Sequence, residues 1–209
     1  MIPVKVLSVQ FIANASPALV KSLGAPSDCP ALGLITTDCD DATYIALDAA
    51  TKAADVTVCF GRSFYAGAAN ATTPSAGEVL GILAGRTPGA VKSGMEAALS
   101  TLPRVGFEDV GGIPCLAHTV SSVGSFLAKE AGVPTGSAIA YLIAPPLESM
   151  YALDAALKAA DVTLCKLYSP PSETNFGGGL LSGTQSACDA ACAAFRDAVA
   201  QISSHPRIL

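Results

Sequence analysis

Runs of β-branched and aliphatic residues alternate along the chain with Ala-rich segments, and this alternation predicts strands separated by helices. The first run ends near Ile12 and is followed by Ser16 and Pro17, which are typical of the N-cap and first position of a helix. Asp40 and Asp41 mark the start of a second helix, where negative charge favourably opposes the helix dipole. In the first half we predict strands at 4–12, 31–35, 56–60 and 78–83, and helices at 17–23, 40–54 and 87–99.

The second half repeats this order of elements. A loop of small and turn-forming residues precedes the last strand of each half, at 66–76 and at 168–179. In the second half we predict strands at 113–120, 138–143, 162–167 and 180–183. We predict helices at 123–131 and 184–202 and, between them, the second copy of the repeated helix, which ends at residue 160.

The repetition is close at the level of single residues. Residues 46–59 and 152–165 are identical at all but two of fourteen aligned positions. A period near half the chain indicates two copies of a whole domain, each of a common domain size. Pro, Arg and Gly cluster within 102–112, between a helix end and the next strand. We therefore predict two domains, 1–104 and 105–209.

The composition indicates which classes of molecule this protein contacts. Of the 209 residues 51% are hydrophobic and only 14% charged, so we expect a charge-poor surface that contacts other protein. The net charge of −5 argues against nucleic acid, and the longest apolar run, 138–146, falls short of the ~20 residues that span a bilayer. Seven cysteines without a Cys-x-x-Cys motif predict reduced thiols. We expect a soluble, cytoplasmic protein without a nucleic-acid or membrane partner.

The chemically suggestive residues are few. Asp38, Asp40 and Asp41 could hold a small cation such as an alkanolammonium, or could be no more than helix-start charge. His118 and His205 lack Cys or His at metal-ligand spacing, so structural roles are favoured over zinc. The sequence contains no Gly-x-Ser-x-Gly elbow and no phosphate-binding loop. We predict no catalytic residue, no metal and no cofactor, and hence no enzyme.

Several longer motifs point to a family. Each half contains the same series of elements: a strand (31–35 in the first half), the repeated helix, a Gly-terminated strand and an Ala-rich helix. The order of these elements resembles that of the bacterial microcompartment shell domain, present twice. Nearly the whole chain resembles the tandem-domain shell proteins of ethanolamine utilisation, through motifs at 38–46, 61–68, 76–79, 116–121, 140–148 and 170–177.

The resemblance implies an α+β fold of two tandem, circularly permuted ferredoxin-like shell domains, each a mostly antiparallel sheet with flanking helices. In each domain the strand and short helix that usually come last come first. It also implies a homotrimer, a pseudohexameric disc with six pseudo-equivalent domains. Such discs tile the facet of a microcompartment shell in the cytoplasm, together with other shell proteins.

In the family that this chain resembles, a central pore that can open or close passes bulky molecules, such as metabolites or cofactors. Two glycine-containing segments are candidates for its loops, because glycine tolerates backbone angles that other residues resist, although such segments are also common as simple turns. The candidates are Ala66, Gly67, Ala68, Ala69, Asn70, Glu173, Thr174, Asn175, Phe176, Gly177, Gly178 and Gly179.

The resemblance also implies a ligand in a smaller opening within each protomer. An aspartate pair at Asp40 and Asp41, a glutamate at Glu78 and an aromatic region matching approximately Phe107 would contact ethanolamine there. Compared with typical members of that family, the segment 102–114 is several residues shorter. The alternative is therefore a shell that belongs to a different aldehyde-forming pathway. A second function from a different class is a trimeric sensor that binds a cationic amine metabolite and signals to a partner.

Overall fold

The computed structural model describes residues 1–64, 77–170 and 172–207, which form two compact units. The N-terminal unit comprises the described residues within Pro3–Gly106, together with Gly124–Leu127. The C-terminal unit comprises Met1–Ile2, Phe107–Val123 and the described residues that follow position 127. Each unit contains one antiparallel sheet with helices packed against it.

The N-terminal unit is built on a four-stranded sheet. Its strands are β1 (Val6–Ile12), β2 (Ala31–Thr37), β3 (Val56–Ser63) and β4 (Val79–Gly85), in the spatial order β1-β2-β4-β3. Its helices are α1 (Pro17–Ser22), α2 (Asp40–Ala53) and α3 (Pro88–Thr101), followed by a 3-10 turn at Leu102–Arg104.

The C-terminal unit is built on a five-stranded sheet. Its strands are β5 (Glu108–Val110), β6 (Ile113–Val120), β7 (Ala138–Ala144), β8 (Val162–Tyr168) and β9 (Gly177–Gly183), in the order β5-β6-β7-β9-β8. The remaining helices are α4 (Ser125–Ala131), whose first three residues belong to the N-terminal unit, α5 (Pro146–Ala159) and α6 (Gln185–Ser204). The predicted α+β fold with two antiparallel sheets and flanking helices is confirmed.

Helix starts follow the polar residues that precede them. The Ser16 hydroxyl oxygen accepts a hydrogen bond from the backbone N–H of Leu19 at 3.3 Å, and Pro17 is the first residue of α1, as predicted. Thr87 and Thr184 cap α3 and α6 in the same way, each at 3.2 Å. These caps satisfy backbone donors that the first helical turn leaves open.

The two sheets share their register. Ala31 pairs with Gly85, and in the C-terminal unit Ala138 pairs with Gly183. The edge strands β3 and β8 each carry a bulge, at Cys59 and Cys165, which are equivalent positions of the repeat. The duplication therefore extends to the irregularities of the sheets.

Close approach of helices to the sheet explains the Ala- and Gly-rich composition. A Cβ atom at Gly33 would lie 2.7 Å from a methyl carbon of Val91 in α3. A Cβ atom at Gly81 would lie 2.6 Å from a methyl carbon of Leu47 in α2. Real Cβ contacts are longer, so only glycine lets both helices pack at this distance.

Strand β5 is absent from the predicted elements, because the Pro, Arg and Gly residues within 102–112 indicate a domain boundary and not a strand. Its hairpin turn has Gly111 and Gly112 at φ values of 64° and 88°, and Val110 pairs with Ile113. Two adjacent glycines with positive φ are typical of a two-residue hairpin turn. The Gly-Gly pair is therefore the sequence signal for this hairpin.

The prediction that Gly177, Gly178 and Gly179 belong to a loop is wrong, since all three lie inside β9. A Cβ atom at Gly178 would lie 1.9 Å from the carbonyl oxygen of Leu142, and one at Gly179 would lie 2.6 Å from that of Lys166. Glycine is required here because neighbouring backbones approach closely, a reason that local composition does not distinguish from turn formation.

We expect Gly178→Ala to lower the free energy of unfolding by more than about 3 kcal/mol, because its φ of 154° and the Leu142 carbonyl both exclude a Cβ atom. Urea denaturation followed by circular dichroism measures the change. The matched control is Gly89→Ala in α3, where the nearest atom to a new Cβ is 3.9 Å away. The control should be neutral or stabilised by up to about 1 kcal/mol, and equal effects of both substitutions would contradict the close-approach explanation.

Candidate functional site

The acidic cluster lies where β2 ends and α2 begins. Buried Thr37 accepts a hydrogen bond from the backbone N–H of Cys39 at 3.1 Å through its hydroxyl oxygen. The same oxygen lies 2.7 Å from the hydroxyl oxygen of Thr43, which donates to the Cys39 carbonyl at 2.8 Å. This network of two threonines fixes the turn, and thereby the directions in which the following carboxylates point.

Asp38 ties this turn to the segment that precedes β1. Its carboxylate accepts a hydrogen bond from the backbone N–H of Lys5 at 2.7 Å, and its own N–H donates to the Lys5 carbonyl at 3.2 Å. The side chain is exposed. Asp38 therefore has a structural contact of its own at the edge of the cluster.

Asp40 and Asp41 form the first turn of α2, and each residue is only 7% exposed. The Asp40 carboxylate accepts a hydrogen bond from the backbone N–H of Asp41 at 2.9 Å. Negative charge at this end of a helix is stabilised by the helix dipole. The predicted helix-start role is confirmed, and it leaves open a second role towards a ligand.

Glu78 reaches the same place from the residue before β4. Its backbone N–H donates to the Thr37 carbonyl at 2.9 Å, which anchors it beside the turn. Burial raises the pKa of Glu78, and the negative charges of Asp40 and Asp38 raise it further. Glu78 therefore shares an electrostatic environment with the two aspartates.

Burial also raises the pKa of the Cys39 thiol, with added contributions from Asp41, Asp40 and Glu78. The carboxylates at the start of α2 and the carboxylate before β4 thus create one small region of negative electrostatic potential. Such a region suits a cation that also donates hydrogen bonds. Across the described ranges no group of three or more His, Cys, Asp or Glu side chains could hold a metal ion.

Phe107, the fourth predicted ligand contact, belongs to the C-terminal unit, whereas the three carboxylates belong to the N-terminal unit. Its ring lies 5.2 Å from the ring of Phe176, with an interplanar angle of 53°. Its carbonyl accepts a hydrogen bond from the backbone N–H of Ile2 at 2.6 Å. Phe107 is held in its own unit by these contacts.

Of the candidate pore residues, 66–70 lie outside the described ranges. Glu173 and Thr174 form a turn, and the following Asn175 has a positive φ of 63°. The hydroxyl oxygen of Ser172 accepts a hydrogen bond from the backbone N–H of Phe176 at 3.1 Å. This turn leads directly into β9.

All seven cysteines are unpaired thiols. Burial raises the pKa of Cys59 and Cys192 to about 11 each, and that of Cys115 to about 12. A thiol with so high a pKa is a poor nucleophile near neutral pH. The environment of these three thiols therefore suits packing better than catalysis.

Asp48 is not among the predicted functional residues; it lies in the repeated helix and is completely buried. Its carboxylate accepts hydrogen bonds from the backbone N–H groups of Gly124 at 2.7 Å and of Leu127 at 2.9 Å, all within the N-terminal unit. Lys52 lies 3.3 Å from the same carboxylate. In the sequence, an aspartate inside an Ala-rich helix was the available signal.

Comparison with known proteins decides the family. The family model described as the BMC domain matches residues 31–111. The bacterial microcompartment shell protein EutL of Clostridium perfringens is 56% identical over 205 residues, covering 96% of this chain and 94% of that protein. The chain belongs to the EutL family of bacterial microcompartment shell proteins. EutL of Salmonella typhimurium is 46% identical, with the same coverage of both chains.

A solved EutL structure agrees along the whole length. The crystal structure of the ethanolamine utilization protein EutL from Leptotrichia buccalis has a TM-score of 0.96 and 53% identity, covering 100% of this chain and 98% of that one. The resemblance inferred from the sequence motifs is thus confirmed. Within the described part of this EutL-family chain, the helices are too short or too polar to cross a membrane.

We expect Glu78→Gln to make the protein more stable than the wild type at pH 7, with the difference disappearing once the pH falls below about 4. Because the pKa of Glu78 is raised from 4.5 in the folded state, folding favours its protonated form. That stabilisation is present at low pH and is lost as the pH rises through the folded-state pKa, whereas glutamine avoids the loss.

Urea denaturation at a series of pH values measures the difference. The control Glu96→Gln removes an exposed carboxylate 3.9 Å from Lys92 and should change stability by less than about 1 kcal/mol. A Glu78→Gln variant that is less stable than the wild type at pH 7 would contradict the raised pKa of Glu78 in the folded state.

Proposed function

We propose that this chain is a structural tile of a microcompartment shell. Three copies form a pseudohexameric disc, the discs tile the shell facet with other shell proteins, and a gated central pore passes metabolites or cofactors of ethanolamine utilisation. The single observation that carries the proposal is the shared register of the two sheets, including their bulges at Cys59 and Cys165. Two units so alike can occupy equivalent positions in one ring.

Closed symmetry supports the trimer. A head-to-tail contact between unlike surfaces closes into a ring when the rotation between neighbours divides a full turn. A chain that carries two copies of one fold supplies two of six positions, so three chains complete the ring. We propose 1–104 and 105–209 as these copies.

Shell assembly without catalysis agrees with the chemistry of the described thiols, whose raised pKa values disfavour nucleophilic attack. The relatives in the family carry the name of shell proteins and not of enzymes. We propose the shell of a cytoplasmic microcompartment as the place where the chain acts.

We further propose that the acidic cluster of Asp40, Asp41 and Glu78 binds ethanolamine, with Phe107 as an aromatic contact. Ethanolamine carries an ammonium group, which carboxylates attract, and a hydroxyl group that can donate and accept hydrogen bonds. Burial raises the pKa of Glu78, and the negative charges of Asp40 and Asp38 raise it further; a bound ammonium ion would offset that second contribution.

For the central pore we propose the turn Glu173–Phe176 and the segment 66–70 as the lining loops. A turn with one residue at positive φ between two strands can change conformation without breaking either strand. Gly177, Gly178 and Gly179 are fixed inside β9 and would anchor the second loop.

We expect the purified protein to sediment as a trimer and to form two-dimensional sheets when concentrated. Analytical ultracentrifugation measures the mass, and electron microscopy reveals the sheets. A monomer at micromolar concentration would overturn the proposal that the chain is a shell tile. A trimer that forms no sheets and does not associate with shells in cells would instead favour the sensor of cationic amines.

We expect isothermal titration calorimetry to detect ethanolamine binding that Asp40→Asn and Glu78→Gln each weaken at least tenfold, because each removes one negative charge from the site (about 1.4 kcal/mol per tenfold). Glu96→Gln serves as the matched control, since its carboxylate is exposed on α3. Ethylene glycol, which lacks the ammonium group, should not bind. Unchanged affinity in both site variants would remove the ligand assignment and leave the shell proposal standing.

A further inference from the structure

The two units differ in how their last long helix covers the sheet. In the C-terminal unit α6 packs against β6. The Thr119 hydroxyl oxygen of β6 lies 3.5 Å from the Cys192 sulfur of α6, and Arg196 donates a hydrogen bond to the Ala117 carbonyl at 3.2 Å. In the N-terminal unit α3 packs against β2 and β4 instead. Among the helices that the structure describes, none packs on β1 as α6 packs on β6.

The residues at equivalent positions explain this difference. The shared register of the two sheets aligns Phe11 of β1 with Thr119 of β6. The matching N-caps of α3 and α6 align Leu99 with Arg196. The side chains of Phe11 and Leu99 carry no hydrogen-bonding group. The two contacts that join α6 to β6 therefore have no counterpart between α3 and β1.

The part of β1 that α3 leaves uncovered borders a groove with a volume of about 280 Å³. Buried Leu32 and Val91 line it, each only 1% exposed. Pro88 and Phe11, which is 52% exposed, also line it. Every lining side chain except that of Lys92 is apolar. A concave apolar surface with one polar group is the usual form of a site for a small molecule.

The apolar character of this groove is particular to the N-terminal unit. At the positions of Pro88 and Lys92 the C-terminal unit has Gln185 and Asp189. An apolar surface with one positive charge in the first unit thus corresponds to polar residues with a negative charge in the second. The shared fold does not require the groove, since the second copy of that fold has different chemistry there.

Lys92 determines which polar group a ligand can carry. Its ammonium group donates hydrogen bonds and accepts none. Its side chain is 72% exposed, and its distance to the Glu96 carboxylate, one helical turn away, is long at 3.9 Å. An anionic group can therefore approach Lys92 at the mouth of the groove. A cation would meet no acceptor among the lining side chains.

The volume of the groove limits the length of the apolar part. One water molecule accounts for about 30 Å³ of the liquid, so the groove holds on the order of nine non-hydrogen atoms of similar size. A chain of about six carbons that ends in a carboxylate fits this volume. Its carbons would replace water on apolar side chains, which is favourable.

We propose that this groove binds a small amphiphilic anion, with its apolar chain against Phe11 and Val91 and its carboxylate on Lys92. All the lining residues belong to the N-terminal unit. The site is therefore independent of the proposed trimer and of the proposed ethanolamine site. Its chemistry is the opposite of that of the acidic cluster, which suits a cation.

Hexanoate is the probe, and NMR of the three methionine methyl groups is the measurement. A Cβ atom at Gly33 would lie 3.0 Å from the Met95 methyl carbon and 3.6 Å from Cε1 of Phe11, so Met95 reports on the groove. Met1 and Met150 belong to the C-terminal unit. We expect hexanoate to shift the Met95 signal saturably and to leave the other two unchanged.

Related probes separate the two ends of the ligand. From butanoate to hexanoate the affinity should rise about fourfold with each added methylene, because each one buries further apolar surface. Hexylammonium has the same chain and the opposite charge. It should bind at least tenfold more weakly than hexanoate.

Two substitutions test the two ends of the site. Lys92→Gln should weaken hexanoate binding about three- to fivefold, as expected for an exposed ion pair, and leave 1-hexanol binding unchanged. Ala13→Phe, at an exposed residue that lines the groove, should fill it and weaken both probes at least tenfold. The matched controls are Lys129→Gln and Ala193→Phe, at exposed positions of the C-terminal unit, which should bind as the wild type does.

A Met95 signal that hexanoate leaves unchanged, or that moves only together with those of Met1 and Met150, would overturn the proposal. Hexanoate affinity in Lys92→Gln equal to that of the wild type would also overturn it, and this variant decides alone if circular dichroism shows that Ala13→Phe does not fold. Sedimentation velocity covers the remaining outcome. If the wild type binds no probe and Ala13→Phe dissociates an oligomer, the groove is a contact between copies and not a ligand site.

Discussion

The close approach of backbone and helices at glycines of the central strands is the constraint on which the rest of the fold depends. In the N-terminal unit Gly33 and Gly81 let α3 and α2 settle onto the sheet at distances that exclude a Cβ atom. In the C-terminal unit Gly178 and Gly179 let the backbones of neighbouring strands approach one another. With helices this close, alanine suits their inner faces, and dense packing follows from small side chains.

The two units share their sheets and differ in their surfaces. The sheets kept their register and even the bulges at Cys59 and Cys165, because a change in register would turn every buried side chain outwards. The surfaces are under no such constraint and differ between the units. Asp48 is a buried acceptor for the Gly124–Leu127 segment, whereas Asp154 at the equivalent position is exposed and pairs with Lys158.

The acidic cluster shows how a helix start can take on a further role. Thr37 and Thr43 hold the turn before α2, so Asp40 and Asp41 are oriented by hydroxyl groups and by the helix dipole. Glu78, anchored on the same turn through the Thr37 carbonyl, adds a carboxylate whose pKa rises because burial and its acidic neighbours disfavour its charge. A place where like charges gather at some cost to folding is one that a cation can stabilise.

The sequence by itself determined the duplication, the order of the strands and helices other than β5, the cap at Ser16 and the family, because these depend on local patterns and on motifs that recur along the chain. Only the tertiary structure decided that Gly177–Gly179 are strand residues, that β5 forms a hairpin, that Asp48 is buried and that Phe107 packs on Phe176. The physical reason is the same in each case. A glycine needed for close approach looks like a glycine needed for a turn, and a buried carboxylate looks like an exposed one, until the chain brings a distant segment against it.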